Sequence, residues 1–192
     1  MARAKRYPRK LKFGETAIEL RLMTPEDADA VLAFGQSLPP EDVLFLRSDI
    51  TQPEGVAYWV ANVETGVTTT VLAFAGERVV GYASVHRSPA RWTKRVGEIR
   101  VNVAPDLRAK GLGRQLVNEA FDVARSLDLK KLSAQMTVEQ SRARDIFREL
   151  GFRAEAVLAD WVEDHNGRPR DLLIMTYDLD GLTDTVEEPL RL

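Results

Sequence analysis

Cysteine is absent from the 192-residue chain. That one absence excludes disulfides, thiolate-bound zinc and a cysteine nucleophile. It suits a reducing compartment, so a cytoplasmic location is expected. Histidine is scarce as well. His86 and His165 are the only two, too few for a histidine-rich site, and no metal is expected. Neither sign of charge prevails: Lys and Arg number 27 against 29 Asp and Glu. Such balance gives no global pull toward nucleic acid or an anionic membrane, and neither is an expected partner. No stretch approaches the ~20 apolar residues that cross a bilayer. The first dozen residues hold Arg3, Lys5, Arg6, Arg9, Lys10 and Lys12. No apolar run follows them, so they do not read as a secretory leader.

What is present reads as one domain. Residues 1–15 form a basic arm, expected to be solvated. Residues 16–180 carry the periodic segments, and 181–192 form a loosely held tail. Ala17–Leu22 alternates as a strand. Thr24 and Pro25 then open a helix, with Glu26 and Asp27 at its positive end. Residues 36–50 look irregular, and Pro39-Pro40 forbids a helix there. Thr51 caps the next helix, whose face is Val56, Trp59, Val60 and Val63. Strands follow over Thr70–Ala75, Val79–His86 and Val96–Val103. A long helix runs from about Gly111 to Leu127. A strand over Lys131–Met136 leads to a helix over Glu139–Leu150, which Gly151 stops. Arg153–Asp164 and Arg170–Leu179 form a final hairpin around Asn166-Gly167. Strands that first pair locally and later alternate with helices predict an α/β fold with a mixed central sheet and about four helices.

The chemistry concentrates in Val101-Asn102-Val103-Ala104-Pro105-Asp106-Leu107-Arg108-Ala109-Lys110-Gly111-Leu112-Gly113-Arg114. A strand ends, a proline turn follows, and a glycine loop opens a long helix. Unpaired amides at a helix start bind anions, and the helix dipole adds roughly half a positive charge. Gly111 and Gly113 allow phosphate oxygens close to the backbone. Arg108, Lys110 and Arg114 add cations. The loop is not a Walker A sequence, which needs G-x-x-x-x-G-K-[ST]. Nor is it a dinucleotide fingerprint, because Leu116 stands at the third glycine. A tight turn with close helix packing is the bland alternative.

Arg108-Ala109-Lys110-Gly111-Leu112-Gly113 matches the R/Q-x-x-G-x-G/A signature, and here the chain resembles the GNAT acetyltransferases. Gly151-Phe152 resembles the family's "GF" at the end of the second helix. The resemblance covers residues 17–179. It implies a GNAT-like fold and acetyl-CoA as cosubstrate, with direct acetyl transfer to a primary amine: a small molecule, a lysine or a protein N-terminus. It implies that the pyrophosphate meets Arg108, Ala109, Lys110, Gly111, Leu112, Gly113 and Arg114. The pantetheine arm would pair with Val101 and Val103, and Gln140 would hydrogen-bond the cofactor in place of an asparagine. The thioester would lie at a splay near residues 133–136. The Val103 N–H is the family-like oxyanion donor.

Glu98 is the candidate base; an ion pair with Arg100 is its structural alternative. By two-residue alternation, Glu98, Arg100 and Asn102 share one strand face, and Ile99, Val101 and Val103 the other. The family's usual acid, a tyrosine, is replaced by Phe147. Tyr82, Ser84 or His86 could substitute, or the thiolate could leave unassisted. The acceptor pocket is expected between residues 36–50, the Trp59 helix and the final hairpin. Glu41, Asp42, Glu163 and Asp164 would attract a cationic amine or remain solvated loop charges. By analogy with the family, exposed sheet edges and the last hairpin could support a homodimer. A non-catalytic acyl-CoA-binding module is the alternative function.

Overall fold

The computed structural model describes residues 7–43, 46–164 and 166–179. The expected tail, His165 and the start of the basic arm lie outside them. Among the described residues, eight strands form one sheet in the order β1-β2-β3-β4-β5-β6-β8-β7. They are β1 (Arg9–Phe13), β2 (Thr16–Leu22), β3 (Thr68–Ala75), β4 (Arg78–Arg87), β5 (Val96–Val103), β6 (Lys131–Thr137), β7 (Arg153–Glu163) and β8 (Pro169–Asp178). β5 and β6 run parallel, and every other neighbouring pair is antiparallel. The helices are α1 (Ala28–Gln36), α2 (Pro40–Val43), α3 (Pro53–Glu64), α4 (Leu112–Ser126) and α5 (Ser141–Glu149). The mixed sheet agrees with the sequence-based expectation.

Three local expectations need correction. Part of the basic arm belongs to the sheet, since Arg9–Phe13 pairs with β2 from Arg9↔Leu20 to Phe13↔Thr16. Its anchor is distant. Glu119 of α4 has a side-chain exposure of 0% and accepts hydrogen bonds from Tyr7, Arg9 and Gln115. A buried carboxylate needs such partners, and the arm supplies two of them. A short helix, α2, forms within the segment read as irregular. Proline is compatible with a first helical position, where its missing N–H costs nothing. Third, α3 is preceded by Gln52, not capped by Thr51. Thr51 instead donates its hydroxyl to Asp49 Oδ1 at 2.5 Å.

Two helix groups cover opposite faces of the sheet. On one face, Trp59 of α3 and Phe34 of α1 make edge contacts with the Tyr82 ring at 4.8 and 6.1 Å. Trp59 Nε1 donates to Thr70 Oγ1 at 3.1 Å, so its buried N–H is satisfied. On the other face, α4 buries Leu112, Leu116, Val117, Ala120, Val123 and Ala124. The 46–50 segment lies hard against α1 and α3. A Cβ on Gly35 would sit 2.2 Å from Ile50 O, and one on Gly55 1.9 Å from Asp49 O. Glycine at both places lets this segment reach the sheet face beneath it.

Candidate active site

β5 and β6 pair only at Val96↔Lys131, Gly97↔Leu132 and Glu98↔Ser133. Beyond that they part, because β5 follows β4 while β6 follows β8. The expected splay is therefore present, starting at Ser133. Two cavities open there, one toward each helix layer. Leu46, Tyr82 and Arg100 line both, so the two cavities abut at these residues.

The first cavity, about 600 Å³, lies beside α4 and α5. Its floor is the glycine loop. Gly111 takes φ +90° and precedes α4 as its N-cap. The first bond across that turn runs from Gln115 N–H to Gly111 C=O at 3.1 Å. The amides of Leu112, Gly113 and Arg114 thus lack helical acceptors, no side chain caps them, and the turn holds no acid. Among the described residues, a Cβ on Gly113 would meet only Val103 Cγ2 at 3.7 Å, and one on Gly111 only Phe13 Cε1 at 3.9 Å. The chain's own packing does not require glycine at 113. Open space before uncapped, positively polarised amides fits an anion such as a pyrophosphate.

Eight of the ten residues expected at the cofactor line this cavity: Val101, Val103, Arg108, Ala109, Gly111, Gly113, Arg114 and Gln140. Leu112 turns its side chain into the core. Lys110 Nζ folds back to Asp106 O at 2.9 Å. Arg108 is also occupied internally. Its Nε donates to Val103 O at 2.9 Å, and its Nη2 pairs with Asp42. Arg108 therefore fastens the end of β5 to α2, and its charge is largely answered before any ligand arrives. Gln140 accepts from Thr137 N at 3.0 Å, leaving its NH₂ end for a ligand. Phe147 lines the same cavity and stacks edge-on against Phe152 at 4.9 Å. The Val103 N–H donates to Asn102 Oδ1 at 2.8 Å, a side-chain acceptor that an incoming carbonyl oxygen could displace.

The second cavity, about 610 Å³, lies under α3 and the 46–50 segment. Glu98, Arg100, Ser84 and His86 line it from the sheet. β5 pairs with β4 in unbroken register, so Glu98 and Arg100 share this face as alternation predicts. Glu98 Oε1 accepts from Arg100 Nε at 2.7 Å, and Oε2 accepts from Arg47 Nη1 at 3.0 Å. Both alternatives for Glu98 thus meet in one residue: it faces the cavity and it is ion-paired. Arg100 Nη1 also reaches Gln135 O at 3.2 Å, across the mouth of the splay.

His86 is held between two hydroxyls, with Thr68 Oγ1 at 2.9 Å from Nδ1 and Ser84 Oγ at 2.7 Å from Nε2. Burial, then the charges of Arg47 and Arg100, push its pKa down to about 3. A neutral imidazole engaged at both nitrogens suits a structural role. Ser84 is fully buried against it. Tyr82 differs. Burial raises its pKa, against the opposing pull of Arg100, and keeps the phenol protonated. Sequence reasoning missed Arg47, which lies in a segment with no pattern to read. It also misplaced one wall: among the described residues, the final hairpin contributes nothing to this cavity, and the 87–93 loop takes its place. Asp42 is spent on Arg108. Asp164 binds Arg170 and the amides of Asn166 and Arg168, which hold its pKa down at about 2.

The model of the acetyltransferase (GNAT) family matches residues 34–152. The chain belongs to this family. GNAT acetyltransferases transfer acyl groups and use acetyl-CoA, which agrees with the glycine loop. Among relatives, the spermidine N(1)-acetyltransferase of Vibrio cholerae serotype O1 is 35% identical over 81 residues, covering 41% of this chain and 45% of that protein. The chain thus spans about half the length of the curated relative it matches. Among solved structures, ribosomal-protein-alanine N-acetyltransferase from Brucella melitensis is 26% identical at TM-score 0.71, covering 83% of this chain and 98% of that one. The yncA protein of Salmonella typhimurium, solved with its cofactor acetyl-CoA, is 23% identical at TM-score 0.71, covering 85% and 94%. A GNAT-family acetyltransferase from Streptococcus pneumoniae, 18% identical, shares the fold at TM-score 0.73 over 84% and 99%.

Proposed function

We propose that this protein transfers an acetyl group from acetyl-CoA to a primary amine by direct attack, with the donor entering beside α4 and the acceptor from the opposite face. The observation that supports the reading is the shared lining at Tyr82 and Arg100, where a cavity floored by a glycine loop with uncapped amides abuts one that holds the Glu98 carboxylate. Acetyl-CoA supplies the activated acetyl group as a thioester.

The residues divide the remaining work. The uncapped amides of Leu112, Gly113 and Arg114 hold phosphate, and Val101 and Val103 offer backbone edges to the pantetheine arm. Gln140 offers its NH₂ group. The Val103 N–H, released from Asn102, donates to the carbonyl oxygen as negative charge grows there. Glu98, directly or through water, takes a proton from the acceptor ammonium. An alkyl ammonium has a pKa near ~10.4 and no lone pair, so this step precedes attack. The nearby guanidiniums disfavour the charged amine but equally favour ionised Glu98, so Glu98 relays the proton to solvent and does not keep it. Tyr82 is the proton donor to the departing sulfur, because Phe147 has no hydroxyl. Tyr82 lines both cavities, and its phenol stays protonated. The second proton shed by the nitrogen restores it. One C–N bond forms, one C–S bond breaks, and the proton on Glu98 passes to solvent.

The test is thermal unfolding with acetyl-CoA, CoA, ATP and NAD, followed by thiol release with amines. Both CoA forms should raise the midpoint, and ATP and NAD should not. No shift with either CoA form, or no thiol release with any amine, refutes the proposal.

A further inference from the structure

The acceptor-side cavity is lined by three guanidiniums, Arg47, Arg87 and Arg100, and by one carboxylate, Glu98. Glu98 is shared between Arg47 and Arg100 and cannot neutralise both. His86 adds no negative charge. Burial chiefly lowers its pKa, and the charges of Arg47 and Arg100 lower it further. Arg87 has no carboxylate partner among the described residues. Its Nη2 donates to Gly66 O, and its Nε is the one buried side-chain polar atom there without a hydrogen-bond partner.

The loop that supplies Ser88, Pro89, Ala90, Trp92 and Thr93 to the lining repeats the bias in its sequence. The 87–95 loop carries Arg87, Arg91, Lys94 and Arg95 with no acidic residue. Among the described residues, only Arg95 finds an acid, Asp128, at 3.4 Å. Trp92, 90% exposed, stands beside these cations as an uncovered aromatic wall. A polyamine, positive along its whole length, would enter this field against repulsion. An amine bearing its own anion would be attracted and oriented.

We propose that the acceptor is a small primary amine carrying a carboxylate, phosphonate or phosphate within a few bonds of its nitrogen; this rests on the acetyl-transfer reading above. A volume of about 610 Å³ is that of a small-molecule site. Arg47 is the specificity residue. Its side chain is about half exposed and holds Glu98 Oε2 at 3.0 Å. An acceptor anion that draws Arg47 away releases that oxygen for the ammonium. Recognition of the anion and activation of the base then become one event, and an amine without an anion leaves Glu98 engaged.

The experiment compares L-aspartate, 3-aminopropylphosphonate, propylamine and spermidine by thiol release at saturating acetyl-CoA. The two anionic amines should exceed propylamine at least tenfold in kcat/KM, and spermidine by more. Raising ionic strength should shrink their advantage. Arg47→Gln should raise KM for the anionic amines about tenfold and raise kcat/KM for propylamine, because it frees Glu98 Oε2 without an anion, while CoA still shifts the unfolding midpoint. Spermidine or propylamine matching the anionic amines overturns this inference and leaves acetyl transfer standing. So does an Arg47→Gln effect equal for all four. Bound CoA with no thiol release from any of them overturns acetyl transfer as well.

Discussion

Gly113→Asp should push stability and cofactor binding in opposite directions. Gly113 lies in the first turn of α4, where no acid and no cap answer the amides. A Cβ there meets ordinary van der Waals distance at Val103. A carboxylate near a helix N-terminus contributes about 0.3–1 kcal/mol, and replacing glycine in a helix adds up to a few tenths. The unliganded variant should therefore gain roughly 1 kcal/mol, or about 2–4 °C for a chain of this size. The same carboxylate occupies the space of the pyrophosphate and repels it. CoA at ~100 times its dissociation constant stabilises the parent by about 2.7 kcal/mol. A variant binding 100-fold more weakly would retain only about 0.4 kcal/mol at that concentration. Differential scanning fluorimetry with and without CoA reads both effects. A variant that keeps the parent's CoA shift refutes the glycine loop as the phosphate site. A variant that loses several degrees without ligand refutes the claim that packing does not demand Gly113.

Glu98→Gln should lower kcat about 10²-fold and leave acetyl-CoA affinity unchanged; an unchanged rate in stopped assays of thiol release removes Glu98 from the mechanism. Tyr82→Phe should lower kcat without moving the unfolding midpoint by more than a degree or two, since the ring contacts with Trp59 and Phe34 survive; an unaltered kcat leaves the thiolate to depart unassisted. Glu119→Ala should cost about 3 kcal/mol in urea unfolding, because Tyr7 and Arg9 lose their shared acceptor; a cost below ~1 kcal/mol would make the buried cluster idle. His86 binds its proton at about 3 in the fold and near 6.5 in the unfolded chain. The unfolded state therefore holds more protons between those values, so stability rises with pH there, by up to about 1.4 kcal/mol per unit. His86→Gln should flatten that part of a pH–stability curve; an unchanged slope places the titration elsewhere.

The sheet, its main helices and the glycine loop were legible because their signals are local. Alternation wrote the strands, and a turn followed by Gly111 and Gly113 wrote the loop within fourteen residues. Destinations of long side chains were not legible. Arg108 reads as a phosphate ligand until Asp42, 66 positions away, is seen to hold it. The arm reads as solvated because Arg9, Lys10 and Lys12 mask Leu11 and Phe13. Its anchor, Glu119, is 110 positions off. The 87–95 loop has charge but no period, so nothing in the chain's order assigned it to a cavity wall.

The two cavities abut at Leu46, Tyr82 and Arg100 but open toward different helix layers. Neither visitor need leave for the other to arrive. Initial-velocity lines for the two substrates should then intersect, as for a ternary complex, and a dead-end analogue of one should not abolish entry of the other. The spent carrier and the acylated amine can depart by separate doors, so excess CoA should compete with acetyl-CoA and spare the acceptor's entrance.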